Sequence, residues 1–211
     1  MRSLQKSPPP ATLTVWRAAN PNEKPFSSLS SLAKQGIQAA LIRDQQGLCA
    51  YCESRIAESG PSAVRVEHWH AQATAPEHAL DWQNMLGVCQ SQDRCEGIRG
   101  ATPLSINPYR QPNVATLFRY RRDGAMVGTT EPAVADAETL HLNHPQLMQN
   151  REAVYQKVQE QLTRIRGNSS ALARLRQRWE TSDSSRQLLE YVSCAMFHLN
   201  RWTRSRQGPR D

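Results

Sequence analysis

The stretch that decides the fold lies between two pairs of cysteines: it opens with CAYC (residues 49–52) and closes with CQSQDRC (residues 89–95). Thirty-six residues separate the two pairs. No signal segment with an apolar centre opens the chain, so we expect a cytoplasmic protein whose thiols stay reduced. Paired cysteines in that setting are typical of tetrahedral zinc rather than of disulfides. We therefore predict one structural Zn²⁺ held by Cys49, Cys52, Cys89 and Cys95.

The residues between the two cysteine pairs carry the densest chemistry of the chain. VEHWH (residues 66–70) begins a segment in which three of the six histidines fall within eleven residues, and WQNML (residues 82–86) follows it. A carboxylate beside a histidine at a strand end offers a divalent ion one hard oxygen ligand, while the imidazole takes a proton from water. We predict these roles for Glu67 and His68. Asn84 is predicted to hold the histidine loop, since an amide both donates and accepts hydrogen bonds.

The sequence before the first cysteine pair predicts an arm and a helix. Five prolines and several small polar residues in residues 1–28 predict an extended arm along a surface, without regular helix. Ser30 or Ser31 caps a helix that runs to about Gln46, where Gly47 ends it. This helix delivers the chain to the first cysteine.

Turn signals predict the strands on either side of the cysteine stretch. Residues 48–66 have the pattern of two short strands around a loop. Farther along, Asp123-Gly124 is a strong hairpin signal that joins a strand over residues 117–120 to one over residues 125–127. We expect residues 29–145 to form one core that contains both features.

Residues 146–206 change to a helical period. The apolar spacing predicts one helix that ends at Gly167, a second over residues 170–179, and a third from about Ser184 to Trp202. The apolar stripe of the third helix is typical of core packing. Cys194 lies on it and is predicted to be a small buried hydrophobe that takes no part in the zinc site.

Composition limits the classes of function. The chain has 211 residues and 38% hydrophobic residues, and it contains no apolar run of about 20 residues, so a multi-domain machine and a membrane span are both excluded. The net charge is +7, and residues 151–211 carry +6 of it. Arginine provides 22 of the 26 basic residues, and its guanidinium pairs well with phosphate. Nucleic acid is thus a plausible partner, and solvated helix faces are the alternative explanation of the charge.

The order of these motifs resembles the zinc-knuckle HNH endonucleases, which have a ββα-metal core. CAYC (49–52), VEH (66–68), NML (84–86) and the second cysteine pair follow one another as in that family, with Arg99 four residues beyond Cys95. The resemblance implies a small ββα core clamped by zinc, with a Mg²⁺ or Mn²⁺ ion at the site that cleaves phosphodiesters. It also implies that Arg99 faces the phosphate backbone of the substrate.

Further motifs resemble the HNH proteins of Septu-type and retron-associated antiphage systems. They are LSINP (104–108), the Asp123-Gly124 turn, and LHLNHP (140–145) with Arg151 after it, so the resemblance covers about residues 30–160. In those systems the HNH protein works beside an ABC or SMC-like ATPase. The resemblance therefore implies a nuclease subunit with an ATPase partner.

The chain departs from the HNH pattern at the second ligand of the catalytic ion. Many family members have His or Asn after the last cysteine of the knuckle, whereas Glu96 follows Cys95 here. Glu96 is the first candidate because a carboxylate is a harder donor than imidazole and suits Mg²⁺ or Mn²⁺. His70 is the second candidate, and Asn84 is more consistent with bracing the loop.

The fold class predicted from these observations is α+β: a small ββα-metal HNH core, a following hairpin and a C-terminal helical portion. The predicted function is metal-dependent hydrolysis of phosphodiester bonds in DNA, with His68 as general base. Two alternatives stay open. The same nuclease could act on RNA such as tRNA, or the chain could be a zinc-knuckle module that binds nucleic acid or protein without catalysis.

Overall fold

Two antiparallel strands and a short helix form the framework around the cysteines. The computed structural model describes residues 1–56, 64–181 and 187–206. Strand β1 (Arg65–His68) pairs with β2 (Met85–Val88), which places Glu67 opposite Leu86 and His68 opposite Met85. Helix α3 (Glu96–Arg99) follows Cys95. The order β1, β2, α3 beside a four-cysteine cluster confirms the predicted α+β class with a small HNH-like core.

The helix before the first cysteine pair lies where the sequence predicts it and supports β2. Ser30 caps α2 (Ser31–Asp44), since its Oγ accepts a hydrogen bond from the amide of Ala33 at 3.2 Å. The buried Gln45 at its end donates to the carbonyl of Gly87 at 2.7 Å and accepts from the amide of the same residue at 2.7 Å. This pair of bonds fixes the end of α2 against the middle of β2.

The N-terminal arm differs from the prediction. It contains a helix, α1 (Ala11–Ala19), whose N-cap is Pro10. The prolines that argued against a helix all lie outside residues 11–19, and proline is tolerated at a helix start. Met1 and Leu4 are 2% and 7% exposed, so the start of the arm enters the core rather than following the surface.

The hairpin after the core confirms the prediction from Asp123-Gly124. Strand β3 (Phe118–Tyr120) pairs antiparallel with β4 (Met126–Gly128). Gly124 has a φ of +78°, and a Cβ there would lie 1.9 Å from the carbonyl oxygen of Met148. Helix α4 (Glu131–Thr139) follows and packs against β4.

The two strands predicted over residues 48–66 are reduced to smaller features. Leu48 and Arg55 form a single β-bridge, and the amide of Ile56 donates to the carbonyl of Gly47 at 2.9 Å. β1 begins only at Arg65. The rest of the predicted loop, residues 57–63, lies outside the described residues.

Three helices complete the chain: α5 (Pro145–Ile165), α6 (Ser169–Glu180) and α7 (Val192–Arg206). The first two agree with the prediction. The third begins later than predicted: residues 187–191 are not helical, and residues 182–186 lie outside the described residues. The carboxylate of Glu53 explains the late start, because it accepts hydrogen bonds from the amide of Ser193 at 2.9 Å and from its hydroxyl at 2.5 Å.

The core takes apolar residues from all parts of the chain. Its largest cluster contains Met1 from the arm, Tyr51 from the cysteine loop, Leu147 from α5 and Cys194 from α7. Cys194 is fully buried, as predicted. None of the helices in the described part of the chain combines the length and apolar content that a membrane crossing requires.

Candidate active site

The four predicted zinc ligands meet at one point. Their sulfur atoms all lie within 4.8 Å of one another, and all four residues are buried free cysteines. Cys49 Sγ lies 3.9 Å from Cys95 Sγ, and Cys52 Sγ lies 3.8 Å from Cys89 Sγ. A tetrahedron with zinc–sulfur bonds of about 2.3 Å has sulfur–sulfur edges of about 3.8 Å. The cluster fits Zn²⁺ in both donor type and spacing, which suggests zinc binding as predicted.

Backbone hydrogen bonds bring the two cysteine pairs together. The amide of Cys49 donates to the carbonyl of Ser54 at 2.9 Å, and that of Ala50 donates to the carbonyl of Gly87 at 3.0 Å. The second bond ties the first cysteine loop to β2, whose end leads directly to Cys89. The amide of Cys95 donates to the carbonyl of Leu140 at 2.9 Å, which holds the last cysteine from outside the core motif.

Glu67 is buried in an ion pair with Arg99. The carboxylate accepts hydrogen bonds from Arg99 Nη1 and from the hydroxyl of Tyr51, the latter at 3.3 Å. Burial raises the pKa of Glu67, and the charge of Arg99 opposes that rise. The side chains of Glu67 and Arg99 are 7% and 1% exposed. In this structure the carboxylate has a guanidinium partner rather than an open face for an ion.

Arg99 does not occupy the predicted position at the phosphate backbone. Its Nη2 donates to the carbonyl of Trp69 at 2.6 Å, its Nη1 to that of His68 at 3.2 Å and its Nε to that of Thr102 at 2.8 Å. The guanidinium is bonded to three carbonyls and one carboxylate below the surface. Its position at the end of α3 directs it inward, where it braces the backbone at the end of β1.

The ring of His68 is held with one nitrogen turned toward a polar side chain. Nε2 donates to the carbonyl of Ala79 at 2.9 Å, and Nδ1 accepts from the amide of Gln72 at 3.2 Å. Phe26 packs edge-on against the ring, with centroids 5.0 Å apart. His68 is 3% exposed, and burial lowers the pKa of its imidazole. This arrangement favours a neutral ring with its lone pair on Nδ1.

Asn84 braces the loop that follows His68, as the sequence predicts. Its Oδ1 accepts from the amide of His70 at 2.7 Å, and its Nδ2 donates to the carbonyls of His70 and His78 at 3.0 and 3.1 Å. Asn84 is 2% exposed. With three hydrogen bonds in a buried position, its amide fixes the loop.

The two candidates for the second ligand of the catalytic ion each contact another side chain. Glu96 pairs with Arg65 at 2.5 Å, while the ring of His70 lies 5.4 Å from that of His78. Burial is the main cause of the raised pKa of Glu67, and the charge of Glu96 adds to it. Within residues 1–56, 64–181 and 187–206, however, the four cysteines are the only group of three or more His, Cys, Asp or Glu side chains that converge on one point.

Several residues of the site were not singled out from the sequence. Tyr51 lies inside the CAYC motif, which is a signal that could have linked it to Glu67. Phe26 contacts His68 through tertiary packing, and Gln72 contacts it from four residues farther along the same loop; neither carries a sequence signal. Lys6 from the arm lies over the rings of Trp82 and Tyr109, 4.3 and 4.1 Å from their centroids. Burial lowers the pKa of Lys6 to about 7.

Comparison with known proteins agrees with the motifs. The chain is 29% identical over 116 residues to the Septu protein PtuB of Bacillus thuringiensis, which covers 52% of this chain and 42% of that protein. It is 25% identical over 96 residues to the retron Ec83 putative HNH endonuclease of Escherichia coli, which covers 42% of this chain and 37% of the relative. The matches thus span about two fifths of each relative's length. No family model matches the chain.

These similarities and the four-cysteine cluster together confirm the resemblance drawn from the residues. Both relatives have names from antiphage systems, and one is named a putative HNH endonuclease. The chain is therefore similar to a Septu protein and to a retron putative HNH endonuclease, and its four-cysteine cluster fits a zinc knuckle.

Proposed function

We propose that this protein is an HNH endonuclease that hydrolyses phosphodiester bonds in nucleic acid, with DNA as the first substrate. The observation that carries the proposal is the position of His68. It lies at the end of β1, next to a carboxylate and between two cysteine pairs that converge, which is the order of the HNH motif. The similarity to a putative HNH endonuclease supports the same activity.

His68 is suited to act as general base. The hydrogen bond from Nε2 to the carbonyl of Ala79 fixes the tautomer, so that Nδ1 is left with the lone pair. Nδ1 takes a proton from a water molecule, the water oxygen attacks phosphorus, and the bond from phosphorus to the 3′ oxygen breaks. Gln72 is exposed, and its side-chain amide donates to Nδ1. The attacking water can take the place of this side-chain amide without opening the core.

The buried pair of Glu67 and Arg99 positions this base. Arg99 bonds the carbonyls of His68 and Trp69, the residues that end β1. Asn84 holds the next residue, His70, through its amide and its carbonyl. The backbone from His68 to His70 is thus fixed by charged or amide side chains that are themselves buried.

The resemblance adds Mg²⁺ or Mn²⁺ to this proposal, with Glu67 and either Glu96 or His70 as ligands. Such an ion would stabilise charge on the phosphoryl oxygens and on the leaving oxygen. The described residues do not form a ready site for this ion. The carboxylate of Glu67 is paired with Arg99, and that of Glu96 is paired with Arg65. The ion requirement therefore depends on the resemblance and needs its own test.

The partner and the biological setting also belong to the proposal. The names of the two relatives support a role in an antiphage defence system, in which we expect an ABC or SMC-like ATPase as the second subunit. RNA such as tRNA is the alternative substrate, because a site of this kind reads a phosphodiester rather than a base. The alternative of another class is a binding module without catalysis. The pairing of Glu67 and Glu96 with arginines favours this alternative.

One experiment separates these functions. The full-length protein and its His68→Ala variant are incubated with plasmid DNA and with total tRNA in Mg²⁺, Mn²⁺ or EDTA, with and without the neighbouring ATPase. We expect the parent protein to cleave plasmid DNA when the divalent ion is present. The His68→Ala variant should not cleave it. His78→Ala is the matched control, since it removes an exposed histidine of the same loop. Binding without cleavage under every condition would establish the binding module.

A further inference from the structure

A cavity lies outside the candidate active site. It has a volume of about 670 Å³ and is bounded by the β3–β4 hairpin, α5 and α7. None of its lining residues belongs to the cysteine cluster or contacts His68. Its volume is in the range of pockets that hold small organic ligands.

Four exposed arginines line this cavity: Arg119, Arg121, Arg122 and Arg201. Arg121 pairs with Asp123 at 3.1 Å. The other three have no carboxylate partner in the part of the chain that the structure describes. Guanidinium groups without counter-charge around a cavity of this size favour an anionic ligand, and phosphate matches their planar donor geometry.

The floor of the cavity contains a polar group that lacks a partner. His198 lines the cavity and is 6% exposed, and its Nε2 is buried without a hydrogen-bond partner. Buried polar atoms in folded proteins almost always have partners, so Nε2 at the cavity wall is available to a water molecule or to an atom of a bound ligand. Burial, together with the charges of Arg201 and Arg122, lowers the pKa of His198 to about 4, so its ring is neutral at neutral pH.

Aromatic side chains form the remaining wall. Tyr155 of α5 lies against His198 with ring centroids 4.7 Å apart, and Phe197 lies 5.2 Å from it. Trp202 follows His198 by four residues, so both lie on one face of α7. A simple anion needs no aromatic wall, whereas a nucleobase stacks on such rings and carries its phosphate to nearby arginines.

We propose that this cavity binds a nucleoside phosphate, with the base against the aromatic wall and the phosphates at the arginines. Two sources have this chemistry: a free nucleotide, and a nucleotide unit of a single strand. The proposal is independent of catalysis at His68, because it concerns a different part of the molecule and is tested by binding.

The test is calorimetric titration of the full-length zinc-loaded protein, without added divalent ions, with ATP and with tripolyphosphate. We expect ATP to bind at least ten times more tightly than tripolyphosphate, because only ATP has a base to stack. Fluorescence anisotropy with a labelled oligothymidylate tests the second source. Displacement of the oligonucleotide by ATP would show that both sources use one site, and binding of the oligonucleotide alone would assign the cavity to a strand.

Matched charge reversals locate the site. Arg122→Glu combined with Arg201→Glu should weaken binding of the probe at least tenfold. Arg174→Glu combined with Arg178→Glu changes the net charge equally at exposed positions of α6 that do not line the cavity, and it should change affinity less than threefold. The proposal would be overturned if both double variants lost the same affinity for the probe, or if ATP and tripolyphosphate bound equally tightly. It would also be overturned if neither ATP nor the oligonucleotide bound. If the parent protein binds the nucleotide but cleaves no nucleic acid, this result contradicts the proposed nuclease function and leaves the proposed nucleotide site standing.

Discussion

The guanidinium of Arg99 neutralises the carboxylate of Glu67 in a site where both side chains are almost fully buried. A buried ion pair costs much desolvation energy, and removal of one partner leaves an uncompensated charge. Arg99 also bonds the carbonyls of His68 and Trp69, so the pair joins α3 to the end of β1. The four residues that the sequence placed in catalysis or substrate contact, His68, Glu67, Asn84 and Arg99, are all buried.

The first prediction concerns this ion pair. Arg99→Ala should destabilise the protein by about 3–5 kcal/mol, because it leaves the Glu67 carboxylate buried and unpaired. Urea denaturation measures the change. Arg121→Ala is the matched control: it removes an arginine from an exposed pair with Asp123 and should cost about 0–1 kcal/mol. Equal stability of Arg99→Ala and the parent would disprove the structural role.

The second prediction concerns the base. His68→Ala should lower the rate of cleavage by about 10²-fold or more, the usual contribution of a general base, while the zinc content stays unchanged. Cleavage assays and metal analysis of the same preparations check both parts. Unchanged cleavage would exclude His68 as the base.

The third prediction follows from the pKa of the same residue. Burial lowers the pKa of His68 below its usual value of 6.5, so the neutral form that accepts a proton persists at lower pH than for an exposed histidine. Cleavage should therefore remain high as pH falls to 6.5 and decline only below it. A pH profile of the single-turnover rate measures the acid limb, and a midpoint above 6.5 would contradict the assignment.

The fourth prediction concerns the metal of the knuckle. Purified protein should contain one Zn²⁺ per chain, and Cys49→Ser should lose it together with the folded core, since structural zinc contributes about 10–16 kcal/mol in small zinc domains. Cys194→Ser is the matched control, because Cys194 lies in the core and its Sγ is 3.7 Å from the carbonyl of Arg151. Metal analysis and thermal melting decide the point. A folded Cys49→Ser variant with full zinc content would refute it.

The fifth prediction separates the candidates for the second ligand of the catalytic ion. If Glu96 is the ligand, Glu96→Ala should abolish cleavage or require much more Mg²⁺, Glu96→His should keep some activity with Mn²⁺, and His70→Ala should be milder. Titration of activity with each ion measures the difference. Arg65→Ala is a useful control, because it frees Glu96 from its present partner and should lower the Mg²⁺ requirement. An active Glu96→Ala variant with unchanged Mg²⁺ dependence would favour His70.

Local signals in the sequence were sufficient for much of the framework. The spacing of four cysteines predicted the cluster, because a single ion imposes both the ligand type and the distances. Asp123-Gly124 predicted the hairpin, because a turn with positive φ at Gly124 admits few residues. Ser30 predicted the start of α2, since a cap acts within three residues of itself.

Other elements differed from the prediction, α1 for a local reason and α7 because of a long-range contact. The number of prolines in the arm argued against a helix, yet none of these prolines lies in residues 11–19, which form α1. The last helix starts at Val192 because Glu53, 140 positions away, accepts hydrogen bonds from Ser193.

The sequence by itself determined which residue types stand next to His68, and the tertiary structure decided which partners each of them has. Arg99 had the charge to contact phosphate, yet folding turned it inward to Glu67, because a buried carboxylate is stable only with a partner. Gln72 reached His68 only through the loop that Asn84 holds. The chemistry of a side chain is local, whereas its partners are chosen by packing between segments far apart in the chain.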